Sequence, residues 1–382
     1  MTDSRISHRG GEPRDLRRAY DRAWLRSKQP PGSTGQRAIR VADMFSGAGL
    51  MTLGVAEACR ALNYRCEPAI AIDFNLTALS VYVDNFPRAQ ILPIGIETYL
   101  DRAVGSKPSE AEKELVKELG SIDLLVGGPP CQGHSDLNNH TRRSDSRNAL
   151  FLKMARFAEL IRPTHIIVEN VRGILHDRGN VYERTRNALT KLGYKVDGGL
   201  VNAADFGVAQ RRQRFVMVAS RRFEPKLVDM IAPYKAKAPT LSWACRDLKS
   251  RKSKKTFESG PVPSKKNKRR IEHLFKKNIH DLPDSMRPDC HRLKEHSYKS
   301  VYGRLRWDTP SQTITTGFGS MGQGRYVHPS LPRTITPHEA ARLQFVPDFF
   351  RFNVEERTAL AEMIGNGVPP KLTYILALEL LR

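Results

Sequence analysis

One cysteine of this chain stands where it can do chemistry. Cys131 directly follows Pro129 and Pro130, and these follow an apolar run, Ile122–Val126, that predicts a strand. Proline fixes φ and stiffens the turn, so the thiol is held in place just past the strand end. A lone cysteine is most often inert core. A fixed thiol at the edge of a sheet where ligands bind is better interpreted as a nucleophile, which acts as its thiolate.

Charged residues flank two further apolar runs. Glu169 follows one of them; it is either the first residue of a helix or, beside a nucleophile, a general acid that protonates a ring nitrogen. Gln210, Arg212 and Arg214 precede the run Phe215–Ala219 and share one face of an extended chain. Two arginines on one face can clamp an anion or donate hydrogen bonds to a carbonyl oxygen. The alternative is a solvated edge strand.

A glycine-rich turn, Ser46–Gly49, lies between a predicted strand and a predicted helix. Glycines there let the backbone approach a ligand that faces the helix N-terminus. The dinucleotide fingerprint fails because position 52 is Thr52. Asp73 ends the next strand, where a carboxylate can accept hydrogen bonds from ribose hydroxyls. Together these features indicate a ligand with an adenosine-like part.

Seven short apolar runs must position these groups. Runs that alternate with helical patterns predict an α/β fold with a doubly wound, mostly parallel sheet, which binds ligands beyond the carboxyl ends of its strands. The predicted strands are Ile39–Phe45, Ala69–Ile72, Gln90–Ile94, Ile122–Val126, His165–Val168, Gly193–Asp197 and Phe215–Ala219.

Composition excludes several protein classes. The 382 residues carry 63 Lys and Arg against 40 Asp and Glu, a net charge of +23 that favours a polyanionic partner, most simply nucleic acid. No apolar run is long enough to predict a membrane-spanning helix, and residues 1–36 lack the apolar segment of a secretory signal. The five cysteines are scattered, which argues against a disulfide framework and fits a reducing compartment. Cys290, His291 and His296 have poor spacing for a metal site, and none is predicted.

The chain divides into three regions by composition. Residues 1–38 are predicted to be a basic arm, either disordered with a short helix around Leu16–Leu25 or in contact with a nucleic acid. Residues 39–221 and 345–382 carry the chemistry-bearing motifs. Residues 222–344 are predicted to form a smaller basic domain with its connection. Its dense basic stretches, Lys249–Lys255 and Lys265–Arg270, either contact a nucleic acid or are solvated.

Six blocks in their order along the chain resemble those of the C5-cytosine DNA methyltransferase family. Each block alone is a weak to moderate signal, whereas the ordered set is very specific. The match spans about residues 39–221 and 301–382. The blocks are Asp43–Gly49, Pro129–Gln132, Glu169–Val171, Gln210–Arg214, Pro310–Thr316 and Gly365–Pro370.

The resemblance implies a Rossmann-like sheet that binds S-adenosylmethionine. Asp73 would contact the ribose and Phe74 would lie near the adenine. The third block departs from the family pattern, because the acidic residue expected there is replaced by Ile94-Gly95-Ile96, with Glu97 just after. The implied cofactor-binding residues are Phe45, Ser46, Gly47, Gly49, Leu50, Asp73, Phe74, Pro130, Leu150, Asn366 and Val368.

The resemblance also implies a mechanism. The Cys131 thiolate adds to C6 of a cytosine that has rotated out of the duplex, which makes C5 nucleophilic. Glu169 holds or protonates N3, Arg214 binds the base carbonyl and Arg212 supports the site. The sequence does not decide which of the two arginines has which role.

Double-stranded DNA is the implied partner, and residues 222–344 become a target-recognition domain. The compact chain resembles bacterial modification enzymes, which implies a cytoplasmic, nucleoid-associated protein with a cognate restriction endonuclease. The alternatives are a family member acting on tRNA and a catalytically inactive DNA-binding homologue. The implied DNA-binding residues are Gln132, Ser135, Lys265, Lys266, Lys268, Arg269 and Arg270.

Overall fold

A computed structural model describes residues 14–130, 150–249, 253–292 and 301–382. Cys131, Gln132 and Ser135 therefore lie outside the described residues. The described strands form one sheet in the order β3-β2-β1-β4-β5-β7-β6. They are β1 (Ala38–Met44), β2 (Arg65–Ile72), β3 (Gln90–Leu92), β4 (Leu124–Gly127), β5 (His165–Asn170), β6 (Lys195–Asn202) and β7 (Gln213–Ser220).

Some of the described helices pack on this sheet, and others lie in the chain after its last strand. The described α-helices are α1 (Arg14–Arg26), α2 (Leu50–Ala61), α3 (Leu76–Asn85), α4 (Ile96–Tyr99), α5 (Glu110–Leu119), α6 (Phe151–Ile161), α7 (Val181–Lys191), α8 (Leu227–Ile231), α9 (Leu241–Cys245), α10 (Lys265–Lys276), α11 (Asp289–Arg292), α12 (Pro337–Leu343), α13 (Arg357–Asn366) and α14 (Pro370–Leu381).

Strand register brings the predicted site residues to one edge. Met44 of β1 pairs with both Ile72 of β2 and Gly127 of β4, and Gly127 pairs with Val168 of β5, all in parallel. The residues that follow these four therefore meet at the carboxyl edge of the sheet. Only β7 runs antiparallel, to both β5 and β6. The predicted doubly wound, mostly parallel sheet is confirmed.

Apolar side chains cover both faces of the sheet. On one face α2 and α14 pack together, and Gly54 permits their close approach because a Cβ there would lie 2.4 Å from the Pro370 carbonyl oxygen. On the other face α6 contributes Phe151 and Phe157 to the core. Burial on both faces explains why the strands are nearly continuous apolar runs in the sequence.

Helix α1 coincides with the short helix expected near Leu16–Leu25, but it is not part of a free arm. Leu25 is fully buried, and Trp24 stacks on Phe345 with ring centroids 5.3 Å apart. Asp21 forms a buried ion pair with Lys371 of α14, Oδ1 to Nζ 2.5 Å. Helix α1 thus packs against the core through Asp21, Trp24 and Leu25, and residues 1–13 lie outside the described part.

A separate small core lies within the predicted recognition region. Helices α8 and α9 instead bury Leu227 and Leu241 in the larger clusters around the sheet and α12. This small core lies between Ile271 and Val327, inside the predicted 222–344 region. That core consists of Ile271, Leu274, Leu282, Val301, Tyr302, Met321 and Val327.

Candidate active site

The turn after β1 is shaped by backbone conformations that favour glycine. Gly47 has φ of 50° and Gly49 has φ of 87°. A Cβ at Gly49 would lie 2.7 Å from the Tyr82 ring, so a side chain is excluded there on two grounds. The Gly47 amide donates to Asp73 Oδ2 at 2.8 Å, which joins the turn to the end of β2. The turn and Asp73, which the sequence assigned to one ligand site, are thus in direct contact.

Beside this turn is an exposed apolar surface. Phe74 is 74% exposed and Leu76 is 68% exposed, directly after Asp73. The Asp73 carboxylate also accepts from the Asn75 amide, Oδ1 to N 2.9 Å, so backbone amides fix both of its oxygens. Partial burial raises the pKa of Asp73. A fixed carboxylate next to exposed apolar side chains suits a ligand with a polar sugar and a flat apolar base.

Asp43 and Thr52 form a buried pair beneath the turn that sequence reasoning missed. The Thr52 hydroxyl donates to Asp43 Oδ2 at 2.6 Å and lies 2.9 Å from the Tyr82 hydroxyl. Burial raises the pKa of Asp43 to about 7. The one available signal was Thr52 itself, which interrupts the glycine fingerprint at the place where its hydroxyl reaches Asp43.

The ends of β4 and β5 meet at an elbow. The Asn170 side chain donates to the Pro129 carbonyl oxygen at 3.2 Å, which fixes the elbow to β5. A Cβ built at Gly128 would lie 3.7 Å from Glu169 Oε2 and 3.9 Å from Val368 Cγ2. Glu169, the elbow and the Gly365–Pro370 block therefore converge on one space. Cys131 follows Pro130 in the chain but lies outside the described residues.

The Glu169 carboxyl is buried and paired. Its Oε1 lies 2.8 Å from Arg214 Nε. Burial raises the pKa of Glu169, although the nearby Arg214 and Arg212 charges act in the opposite direction. A carboxyl that keeps its proton more readily than usual can donate it to a ring nitrogen.

Arg212 and Arg214 have different environments despite their spacing of two residues. The Arg212 guanidinium is buried and donates to three backbone carbonyls: Ile314 at 2.7 Å, Gly365 at 2.9 Å and Gly367 at 3.1 Å. Arg214 instead faces Glu169. Arg212 thus joins distant segments, and Arg214 is the arginine directed toward the elbow.

Two buried glutamines complete this arrangement. Gln210 Nε2 donates to Gln344 Oε1 at 2.8 Å, and Gln210 Oε1 accepts from the Ile314 amide at 2.7 Å. Gln344 Nε2 donates to the Ile364 carbonyl at 2.6 Å. Gln210, Arg212, Gln344 and these backbone groups, hereafter the buried junction, connect three of the six sequence blocks, Gln210–Arg214, Pro310–Thr316 and Gly365–Pro370. The role of Gln344 was missed in the sequence.

Comparison with known proteins decides what this arrangement does. The family model of the C-5 cytosine-specific DNA methylases matches residues 39–382. This chain belongs to the C-5 cytosine-specific DNA methylase family. It is 47% identical over 372 residues to the Type II methyltransferase M1.BsuMI of Bacillus subtilis (strain 168), an alignment that covers 97% of this chain and 87% of that protein.

Two solved structures share the fold of this methylase. One is a putative DNA modification methyltransferase encoded within an E. coli prophage, with a TM-score of 0.62 and 23% identity; the other is S. pombe Dnmt2 methyltransferase, with a TM-score of 0.62 and 18% identity. Each comparison covers 90% of this chain and 98% of the other. The predicted family and enzyme class are confirmed: the chain is a DNA (cytosine-5) methyltransferase, and its methyl donor is S-adenosylmethionine.

The glycine-rich turn of the methylase fits that cofactor. Nothing lies within 4 Å of the position that a Cβ at Gly47 would occupy, so the turn leaves open space. The Ser46 hydroxyl is buried and has no hydrogen-bond partner among the described residues. The open space and the unpaired hydroxyl both suit a polar ligand at the turn. At the departure noted in the sequence, Glu97 is exposed and its carboxylate turns back toward Gly95.

The remaining expected cofactor residues lie around the same edge. Leu50 is buried, and its Cδ1 would be 2.4 Å from a Cβ at Gly367. Val368 is buried and Asn366 is exposed. Phe45, Pro130 and Leu150 are partly buried, with Phe45 at a φ of 59°.

Four of the five expected α10 cations face solvent. Lys265, Lys266, Lys268 and Arg269 are exposed. Arg270 instead donates from Nε to the Met286 carbonyl at 2.9 Å and lies over the Tyr302 ring, 5.3 Å from its centroid. Arg270 therefore holds α10 to the small core.

Within the part of the chain that the structure describes, no cluster of His, Cys, Asp and Glu could hold a metal ion. None of the described helices combines the length and the apolar character that crossing a membrane requires.

Proposed function

We propose that Cys131, Glu169 and Arg214 carry the chemistry of this methyltransferase, with Arg212 as a positioning residue. The observation that carries the proposal is the convergence of Glu169, Gly128 and Val368 at the β4–β5 elbow. Cys131 follows that elbow by three residues in the sequence. Two prolines limit how far the chain can turn between Gly128 and the thiol.

The glycine-rich turn would hold the cofactor. Ser46, Gly47 and Gly49 offer backbone groups and the unpaired hydroxyl, Asp73 offers a carboxylate for ribose hydroxyls, and Phe74 offers an apolar face for the base. When bound, S-adenosylmethionine supplies an electrophilic methyl group. The same assignment includes Phe45, Leu50, Pro130, Leu150, Asn366 and Val368, which surround this edge of the sheet.

The side chains act on the cytosine ring in a defined order. The Cys131 thiolate bonds to C6, and electron density moves into the ring toward N3 and C5. Glu169 supports this addition by holding a proton at N3, consistent with its raised pKa. Arg214 donates to the base carbonyl while it orients Glu169. Once C5 has taken the methyl group that bound S-adenosylmethionine would supply, loss of the C5 proton to a base and expulsion of the Cys131 thiolate from C6 restore the aromatic ring.

The base must leave the helical stack to reach these groups. Rotation of a nucleotide out of a duplex costs a few kcal/mol, on the order of one lost stack and one lost pair. Gln132 and Ser135 follow Cys131 closely in the sequence, and we assign them to contact with the DNA. Exposed Lys265, Lys266, Lys268 and Arg269 would contact phosphates, with Arg270 as their support.

Replacement of the thiol tests the mechanism. Cys131→Ser abolishes transfer of tritiated methyl groups to DNA but retains DNA binding, and 5-fluorocytosine in the target traps a covalent complex with the wild type only. Cys66→Ser is the matched control, because Cys66 lies near the start of β2 and Asp73 follows its end. We expect this variant to retain methyl transfer and to form the covalent complex with 5-fluorocytosine. Methyl transfer by Cys131→Ser would show that the proposed nucleophile is wrong.

We further infer that the enzyme modifies cytosine within one short sequence and accompanies a restriction endonuclease. The support is the similarity to a Type II methyltransferase. Bisulfite sequencing of DNA and RNA from a host that expresses the protein tests this. We expect one methylated DNA motif and protection of that motif from the endonuclease. Methylation scattered without a motif, or found only in RNA, contradicts the inference.

A further inference from the structure

One apolar side chain, that of Val262, is almost completely exposed to solvent. Val262 is 95% exposed, the highest value among the large apolar side chains that the structure describes. It stands between Pro261 and Pro263. Proline fixes its own φ and restricts the residue before it, so this tripeptide has few conformations to lose.

The residues just before Val262 are held by contacts with three other parts of the chain. Arg357 at the start of α13 donates to Ser259, at 2.6 Å to the carbonyl oxygen and 3.2 Å to the hydroxyl. A Cβ at Gly260 would lie 2.8 Å from Arg333 Cδ, so the chain lies directly on that side chain. Pro261 Cγ lies 3.5 Å from the Cβ position of Gly319. Val262 is therefore displayed by a fixed loop rather than a loose one.

The position of this loop relates it to the substrate. Ser264 caps α10 by accepting from the Asn267 amide at 3.3 Å, so the exposed cations of α10 begin immediately after the loop. On the other side, Gly319 stands five residues after Ile314, whose carbonyl accepts from Arg212 in the buried junction. Val262 thus directly precedes the basic helix in the chain, and the adjacent Pro261 contacts a segment that leads back to the buried junction.

We propose that Val262 reads the C5 methyl group of a thymine in the major groove beside the target cytosine. Phosphates attract the neighbouring cations but offer nothing to a valine. The apolar group that a base edge presents in the major groove is the thymine methyl. A fixed loop makes this contact with little loss of conformational entropy. The proposal rests on the proposed contact between α10 and duplex DNA.

Uracil replacement removes that methyl and leaves base pairing intact. In duplexes built on the bisulfite-determined motif, with thymine placed at each flanking position in turn, every thymine is replaced singly by uracil. For the wild type, one replacement lowers kcat/KM about fourfold, the effect of one buried methyl group. Val262→Ala lowers kcat/KM by a similar factor on the thymine duplex. The same uracil then has almost no further effect on that variant, while Val262→Ile retains the discrimination.

Val228→Ala is the matched control, because Val228 is 70% exposed on α8 within the sheet domain. It discriminates thymine from uracil as the wild type does. The proposal is overturned if no thymine responds to uracil replacement, or if the uracil and Val262→Ala effects multiply independently. Absence of wild-type methylation on every duplex would instead contradict the proposed function.

Discussion

The buried junction and helix α10 use charge in opposite ways. In the junction, the Arg212 guanidinium is enclosed and every named donor reaches a carbonyl or an amide within 3.1 Å. In α10, three lysines occupy the first turn and a half, where the helix dipole disfavours positive charge. In the buried junction, the polar groups pair with one another and hold the segments of the site together. In helix α10, the cations remain exposed to solvent, and their position near the helix N-terminus lowers the stability of the helix.

The largest expected effect of this difference is at Arg212. Arg212→Ala leaves three buried carbonyls without their donor and opens a cavity, so we expect the free energy of unfolding to fall by about 3–5 kcal/mol. Urea denaturation measures this. Arg211→Ala, at the exposed neighbouring position, changes the value by less than about 0.5 kcal/mol. Equal effects for the two variants would remove the distinction between the regions.

A second effect concerns Asp43, whose pKa is raised from 3.8 to about 7 by burial. The folded state favours the protonated carboxyl, so its stabilising contribution is complete below about pH 4 and is lost as the pH rises to about 7. The change amounts to at most about 4 kcal/mol. Denaturation of the wild type and of Asp43→Asn at several pH values across this range measures the contribution of Asp43. If the free energy of unfolding of Asp43→Asn changes with pH as steeply as that of the wild type, a group other than Asp43 is titrating.

Removal of α10 charge should weaken DNA binding without loss of stability. In a triple variant with Lys265, Lys266 and Lys268 each changed to Gln, we expect the slope of log affinity against log salt to decrease by up to about 3, because about 0.9 is lost per phosphate contact. The matched triple changes Lys191, Lys195 and Arg222, which are exposed near the opposite edge of the sheet. If both triples reduce the slope equally, α10 is not the contact surface.

The smallest expected effect is a gain. Lys266→Glu places a negative charge in the first turn of α10, and the free energy of unfolding should rise by about 0.5 kcal/mol. Thermal denaturation of this variant beside Lys276→Glu, in the last turn where the sign reverses, measures the difference. A loss at position 266 would mean that the lysine makes a stabilising contact in the free protein.

Much of the framework was predictable from local patterns. Each of the seven predicted strands overlaps an observed strand, because strands buried on both faces leave a continuous apolar signal in the sequence. The poorest agreement is at the edge strand β6, which was predicted at Gly193–Asp197 and lies at Lys195–Asn202, where few side chains are buried. The convergence of Asp73, Gly128 and Glu169 also followed, since parallel strands end at one edge. Local pattern could not separate Arg212 from Arg214. Their environments depend on Ile314 and Gly365, which are more than 100 residues away in the sequence.

The packing of α1 against the core could not be predicted either, because it too depends on residues far away in the sequence. An arginine-rich segment predicts a solvated arm, and a sequence pattern does not reveal that Asp21 is buried against Lys371, 350 positions away. The small core could not be identified from the sequence either. Its residues are spread between Ile271 and Val327 with no regular spacing.

The Asp21–Lys371 pair has a consequence for how the polypeptide matures. Synthesis delivers α1 long before α14, so Asp21 has no Lys371 to pair with until 350 further residues have been made. Closing so long a loop is slow. Helix α1, and helix α2 that follows the glycine-rich turn, therefore reach their final packing only once α14 has been made.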